Sequence, residues 1–216
     1  MLSPCAEVVR RHDPDRFLCT LFAPPPGREA LFTLYATNHE LARAREAVSQ
    51  PMLALIRLQW WREIAEGARR RHEVAGPLGD ALDTGVLQAS DVLTMIEGRE
   101  AEAEPIADEA AFRSYIDVTA GCLAMAAGRV LGGAGPALGA LRDLGAAYGV
   151  AGVLRSIPSL ARQGRCLLPE ALLATHGLSP EHVIARPDDP ALNPVRARLL
   201  AMGRDALASG RRMRLP

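Results

Sequence analysis

The stretch that most restricts what this chain can become is LRDLGAAYGVAGVLRSIPSLARQGRCLLP, Leu141 to Pro169, apolar and crowded with small residues. Leu141, Leu144, Tyr148, Ala151 and Arg155 recur at intervals of three and four, the spacing of one helical face, with alanine and glycine in the turns between them. Gly145, Gly149 and Gly152 each lower helix propensity by about 0.8–1 kcal/mol relative to alanine, so a helix that keeps them uses the space they leave for a close neighbour or a pocket. Such a helix belongs in the middle of a bundle, with Arg155 at the mouth of that space. Ser156-Ile157-Pro158 then predicts the end of regular helix at about Ile157, because proline lacks the amide hydrogen and restrains the residue before it. Arg162 and Arg165 follow in the exit segment.

A helical bundle agrees with the rest of the composition. Aromatic residues make up 4% of the chain, alanine, leucine and arginine abound, and no sustained alternation of Val, Ile and Thr supplies a central strand. The expected fold is all-α, and 216 residues suffice for one sizeable core, read as a single domain over 1–216. Lys+Arg and Asp+Glu both number 25, so net charge offers no case for a nucleic-acid partner. Cys5, Cys19, Cys122 and Cys166 show neither paired metal-ligand spacing nor a secreted-domain pattern and read as reduced thiols. No signal peptide and no uninterrupted apolar run of roughly 18 residues is present, so the expected location is the cytoplasm, peripheral to the inner face of a membrane.

Local signals divide the chain into helices. Asp13 or Asp15 caps a helix carrying Phe17, Leu18, Leu21 and Phe22, which Pro24-Pro25-Pro26-Gly27 ends. A long helix from about Arg28 to Val48 turns Leu31, Leu34, Tyr35, Asn38, Leu41 and Ala42 inward; Asn38 is the odd member, an amide that needs partners. After a turn at Ser49-Gln50-Pro51, Met52 to Arg71 gives a helix with Leu53, Ile56, Trp60 and Ile64 as its apolar stripe, and both tryptophans read as core. A helix from Leu78 to Gln88 continues, with a break at Ala89-Ser90, into Asp91 to Ala103, and Asp108 to Leu131 forms the next. Gly132 to Pro136 is a loop without nucleotide-binding character. Shorter helices follow Pro169 and Ser179, and a last one runs from Asn193 to the arginine-rich end.

Catalytic constellations are sparse. His12, His39, His72, His176 and His182 are dispersed, no GxSxG turn occurs, and Asp80, Asp83, Glu97, Glu100, Glu102 and Glu104 read as a solvated helix surface rather than a magnesium site.

Two blocks nonetheless carry a resemblance. LFAPPPGREALFTLYATNHELARAREAVSQPMLALIRLQWWREIAEG and RSIPSLARQGRCLLP are similar to the squalene/phytoene synthase family, in an order of elements that covers nearly the whole chain. The resemblance implies an isoprenoid-synthase-like all-α bundle. It also implies condensation of prenyl diphosphates on magnesium held by two facing aspartate-rich helices. This chain departs at both faces: Ala42, Arg43 and Glu46 stand where the first aspartate cluster is expected, with only the last carboxylate retained, and Gly149, Gly152, Arg155, Ser156 and Leu160 where the second is. Arg155, Arg165 and Pro169 remain from the later motif.

Within the family the pattern most resembles the non-catalytic branch that assists assembly of respiratory NADH dehydrogenase, matching at Asn38, Glu40, Leu41, Ala42, Val48, Ser49, Arg57, Gln59, Trp61 and Arg62. The expectation is a catalytically inactive assembly or interaction factor, needing no cofactor, with a respiratory-complex subunit or assembly protein as partner. Its candidate partner-binding or ligand-binding residues are Asn38, Glu40, Arg43, Arg57, Gln59 and Arg62, with Arg155, Arg162 and Arg165 as an anion-contacting rim for an isoprenoid or anionic lipid. In that hollow, Asn38 and Gln59 orient a polar group and Arg155 holds an anion at the entrance. The alternative is a divergent prenyltransferase acting on farnesyl or geranylgeranyl diphosphate; only this reading calls for magnesium, completed by Glu97 and Glu100. Family enzymes carry further C-terminal helices, so the bundle is expected to be shortened at that end or completed by a partner.

Overall fold

A computed structural model describes residues 2–46 and 51–213, and no strand forms among them. Prolines start the first four helices: α1 (Pro4–His12), α2 (Pro14–Leu21), α3 (Pro25–Glu46) and α4 (Pro51–Ala65). There the missing N–H is one that no helix would satisfy. Ser3 caps α1 by accepting from the Ala6 amide, and Asp13 both ends α1 and caps α2, accepting from the Arg16 amide at 3.1 Å. Such caps contribute about 1 kcal/mol each. The chain continues through α5 (Ala75–Asp83), α6 (Ala89–Glu100) and a 3₁₀ turn at Ala101–Ala103. Next come α7 (Glu109–Ile116), a π-helical segment (Asp117–Gly121) and α8 (Cys122–Val130), one continuous rod with a widened turn at its centre. The remainder is α9 (Pro136–Arg162), α10 (Glu170–Ala174), α11 (Pro180–Ala185), a 3₁₀ turn at Pro190–Leu192, and α12 (Asn193–Arg211).

Several expected boundaries move. α3 begins at Pro25 rather than Arg28, because the prolines form its first turn; its expected end at Val48, and the matches at Val48 and Ser49, lie outside the described residues. α4 stops at Ala65 instead of Arg71, since Gly67 takes φ 111° and the Ala68 amide folds back to the Glu63 carbonyl at 2.8 Å. Gly85, at φ 71°, separates α5 from α6. In the other direction, α9 does not end at Ile157 but passes through Pro158 to Arg162. Val153, Ile157, Leu160 and Ala161 are buried on both sides of the proline, and their packing outweighs its penalty of about 3 kcal/mol.

Two apolar clusters organise the bundle. The first joins α1, α3, α4, α5, α6 and α8 through residues such as Val9, Leu34, Leu58, Trp61, Leu78, Ile96 and Leu123. The second joins α7, α9, α11 and α12 through Phe112, Ile116, Val150, Ile157, Val183, Val195 and Leu199. They meet where α9 crosses the π segment and α8, and the approach is close: a Cβ on Gly145 would sit 2.5 Å from the Ala120 carbonyl oxygen. α9 is also long and apolar enough, at mean hydropathy 1.2, to cross a membrane, but here α8 and α12 pack along it.

Two expected faces are rotated. On α9 the buried positions include Ala140, Gly145, Ala146, Val150, Val153 and Ile157, whereas Tyr148, Ala151 and Arg155 are exposed. On α4 the core takes Ala54, Leu58, Trp61 and Ile64, leaving Leu53 and Ile56 in solvent. On α9 small residues make the intimate contacts, and α4 carries bulky apolar residues on two faces, so the spacing of bulky side chains alone does not mark the buried stripe.

The four cysteines are free thiols. Burial pushes Cys5 up to about 11 and Cys122 up to about 12, while Cys19 is exposed. Thiol titration of the native protein at neutral pH is expected to modify Cys19 first and to reach Cys5 and Cys122 only on unfolding. Rapid native labelling of Cys5 or Cys122, read by peptide mapping, would show that the first cluster opens.

Candidate functional site

At the junction of the two clusters lies a cavity of about 240 Å³, walled by α2, α3, the α7–π–α8 rod, α9 and the segment after it. The π segment shapes one side. Its wider turn puts both Thr119 and Ala120 on the cavity, and the Thr119 hydroxyl donates back to the Tyr115 carbonyl at 2.6 Å. On α9, Gly152 leaves the wall bare while Gly149 lets the helix close on Ala120 and Ile116, and Val153 and Leu160 complete that side.

The polar end is built around Glu102, buried with 3% of its side chain exposed. Arg99 pairs with one carboxylate oxygen at 2.7 Å, the Tyr115 hydroxyl donates to the same oxygen at 2.8 Å, and Arg165 pairs with the other. Burial alone would raise the Glu102 carboxyl, but the charges of Arg99 and Arg165 and the hydrogen bonds of Arg99 and Tyr115 overcome it and hold the group below its ordinary range. Burial pushes the Tyr115 phenol far up, so it stays a donor. Two guanidiniums thus face this one carboxylate. Arg16 adds another cation, tied to Asp13 at 2.5 Å and lying over the rings of Tyr35 and Tyr148 at 5.4 and 4.9 Å.

The cavity therefore has an arginine-lined end and an apolar body, and the Ser156 hydroxyl on its wall donates to the Gly152 carbonyl at 2.8 Å. The two faces on which the resemblance implies aspartates do converge here, as Ala42 on α3 and Gly152, Ser156 and Leu160 on α9. Magnesium needs carboxylate oxygens, and among the described residues the lining carboxylate is Glu102, already satisfied by two arginines; the described lining does not fit the ion. Among the described residues no three His, Cys, Asp or Glu side chains gather to hold a metal.

The expected site residues divide. Asn38 and Arg165 line this cavity. Gln59, expected beside Asn38, is exposed and lies outside it; Arg155, expected at the mouth, is exposed on the rotated face, and Arg162 is exposed as well. Glu40 and Arg57 line a second recess, with Arg43 3.6 Å from Glu40, and Arg62 pairs with Glu100 at 2.8 Å. Glu97 is exposed and Glu100 is held by Arg62, so this pair does not complete a cluster in the cavity. Arg16, Arg99, Glu102 and Tyr115 form the polar end although the residue pattern singled out none of them as a site. The one local signal was Arg99 and Glu102 three apart, and Glu102 read as solvated instead.

The squalene/phytoene synthase family profile matches residues 9–215. The human protein "NADH dehydrogenase (ubiquinone) complex I, assembly factor 6" is 27% identical over 210 residues, covering 88% of this chain and 60% of its own length. Its mouse counterpart is 29% identical over 202 residues, and the Drosophila melanogaster homolog 28% over 208. The chain thus spans about 60% of the length of these relatives. Among solved structures, a dehydrosqualene synthase superimposes with a TM-score of 0.78 at 14% identity, covering 97% of this chain and 75% of that one. The squalene synthase HpnC from Alicyclobacillus acidocaldarius gives 0.77 at 20%, covering 96% and 81%.

Proposed function

Since the chain belongs to the squalene/phytoene synthase family, we propose that it is a catalytically inactive member that assists assembly of the respiratory NADH dehydrogenase. One observation carries the reading: among the described residues the walls that would present metal-binding carboxylates present Ala42, Gly152, Ser156 and Leu160, and the acid lining the cavity, Glu102, is paired with Arg99 and Arg165. Among the described residues no metal cluster is present to offset the charge of a departing diphosphate. The names of the human, mouse and fly relatives support the assembly role. On this reading the chain works in the cytoplasm, against the inner face of the respiratory membrane. Its partner is a subunit or assembly protein of that complex. Mild extraction and affinity capture are expected to recover such a protein, and cells lacking the chain are expected to lose assembled NADH dehydrogenase. Normal assembly in those cells would overturn the role.

The cavity still suits an amphipathic anion of isoprenoid or lipid type, its head at Arg16 and the Arg99–Glu102–Arg165 cluster and its tail along Ile116, Leu123 and Val153. Binding is expected to be independent of magnesium. Arg16→Ala, which leaves the Glu102 cluster whole, is expected to weaken it about tenfold, the worth of one charged hydrogen bond. Calorimetric titration with farnesyl diphosphate, with and without magnesium, checks this. Magnesium-dependent binding followed by release of diphosphate would restore the prenyltransferase alternative.

A further inference from the structure

On α4, away from the central cavity, Glu40, Arg57, Trp60, Trp61 and His72 line a recess of about 230 Å³. Its three rings stand almost mutually perpendicular. Trp60 and Trp61 cross at 88°, Trp61 and His72 at 89°, and Trp60 and His72 at 70°, with centroids 4.9–5.6 Å apart. They make the corner of a box whose ring faces are electron-rich. Glu40, 9% exposed, adds a carboxylate. Its ion pair with Arg43 is 3.6 Å long, beyond the roughly 2.7–2.9 Å of a charge-assisted hydrogen bond, and Arg43 is half-exposed. The His72 Nδ1 accepts from the Val74 and Ala75 amides at 3.2 and 3.4 Å, which fixes the orientation of the ring. A ring corner backed by a carboxylate attracts an organic cation, while exposed Arg57 offers an anion a contact at the rim.

The surroundings indicate where that zwitterion comes from. Leu53, Ile56, Arg57 and Trp60 follow one another on a single face of α4, at the spacing of neighbouring turns. Leu53 and Ile56 are 44% and 60% exposed, and Met52 beside them 64%. We propose that this face docks on a membrane and that the recess takes the headgroup of a zwitterionic phospholipid. The ammonium lies against Trp60, Trp61, His72 and Glu40, the phosphate on Arg57, and Met52, Leu53 and Ile56 enter the interface. A lysine from a protein partner would fill the ring corner but leave Arg57 without its anion and the apolar turn uncovered. The recess is smaller than the roughly 300–1,000 Å³ of pockets for whole drug-sized ligands, which matches a headgroup alone. The inference stands independently of the assembly role, because it rests on α4 rather than on the central cavity.

Trp60 and Trp61 are the two tryptophans of the chain, so intrinsic fluorescence reads this recess directly. Soluble phosphocholine and phosphoethanolamine are expected to give saturable changes in the millimolar range, and vesicles of phosphatidylcholine or phosphatidylethanolamine to float the protein. Glu40→Gln is expected to weaken the soluble headgroup about tenfold. Ile56→Ser, at an exposed position, is expected to keep headgroup binding and lose vesicle binding. Three outcomes overturn the proposal: no fluorescence response, equal flotation on phosphatidylglycerol vesicles, which have no ammonium, or a response to a lysine peptide without flotation on any vesicle. If Glu40→Gln does not fold by circular dichroism, the Ile56→Ser pair of measurements and the phosphatidylglycerol comparison still decide.

Discussion

Glu102→Gln is expected to lower the melting temperature at neutral pH by on the order of 10 °C. The amide keeps the shape of the side chain but removes the charge that Arg99 and Arg165 face with 18% and 9% of their side chains exposed. Breaking a buried ion pair from one side costs about 3–5 kcal/mol, because the other charge is left uncompensated. For a chain of this size each kcal/mol is about 2–4 °C. The pH dependence has a definite sign. The folded protein holds the Glu102 carboxyl below its ordinary value. The stability that this contributes is therefore complete above the unfolded glutamate pKa of about 4.3, and it is lost as the pH falls through the lower native value. The gap between parent and variant should narrow in acid. Calorimetric melts at neutral and acid pH check both parts, and a variant that melts with its parent at neutral pH would show the cluster to be energetically idle.

The second large effect is a pair of alanine substitutions on one helix with opposite signs. At Gly145 a Cβ would meet the Ala120 carbonyl oxygen at 2.5 Å and the Ala124 Cβ at 2.6 Å, neither of which is the end of a flexible side chain. α9 must then move away from the π segment and α8, an overpacking cost of about 1–3 kcal/mol, which exceeds the helix-propensity gain of about 0.8–1 kcal/mol. At Gly152 nothing lies within 4 Å, so only the gain remains. Gly145→Ala is expected to lower the denaturation midpoint and Gly152→Ala to raise it. Because Gly152 lines the cavity, the stabilised variant should also bind an amphipathic anion less well. Shifts of the same sign would mean that the seam between the clusters is not packed as described.

Much of the helical framework was legible from local chemistry. Asp13 as a cap, Pro180 behind Ser179, and Gly145 and Gly149 as a site of close approach are signals of local sequence, and each does in the structure what its chemistry suggests. The faces of α4 and α9 were harder, because both helices carry large apolar residues on more than one side, and on α9 the tight contacts belong to glycine. Of the cavity, Asn38 and Arg165 were readable as polar groups beside an apolar helix. Glu102 was not. Beyond Arg99, three positions away, its partners are Tyr115, 13 positions away, and Arg165, 63 positions away, and no spacing rule joins those two to it. Arg155 looked like the anion contact for the complementary reason: it lies on the helix with the glycines, but a helix turns it outward, while the irregular exit segment brings Arg165 inward.

The two apolar clusters also set an order of events during synthesis. The first draws its buried residues from positions 5 to 127 and the second from 106 to 202, so the two overlap in sequence only around α7, the π segment and α8. On the ribosome the first half of the chain can bury its own apolar surface while most of α9 and all of α12 are still unmade, as expected when neighbouring segments fold as successive units. The widened turn at Asp117–Gly121 then waits at the edge of a finished core, and the emerging α9 completes the protein by closing over it.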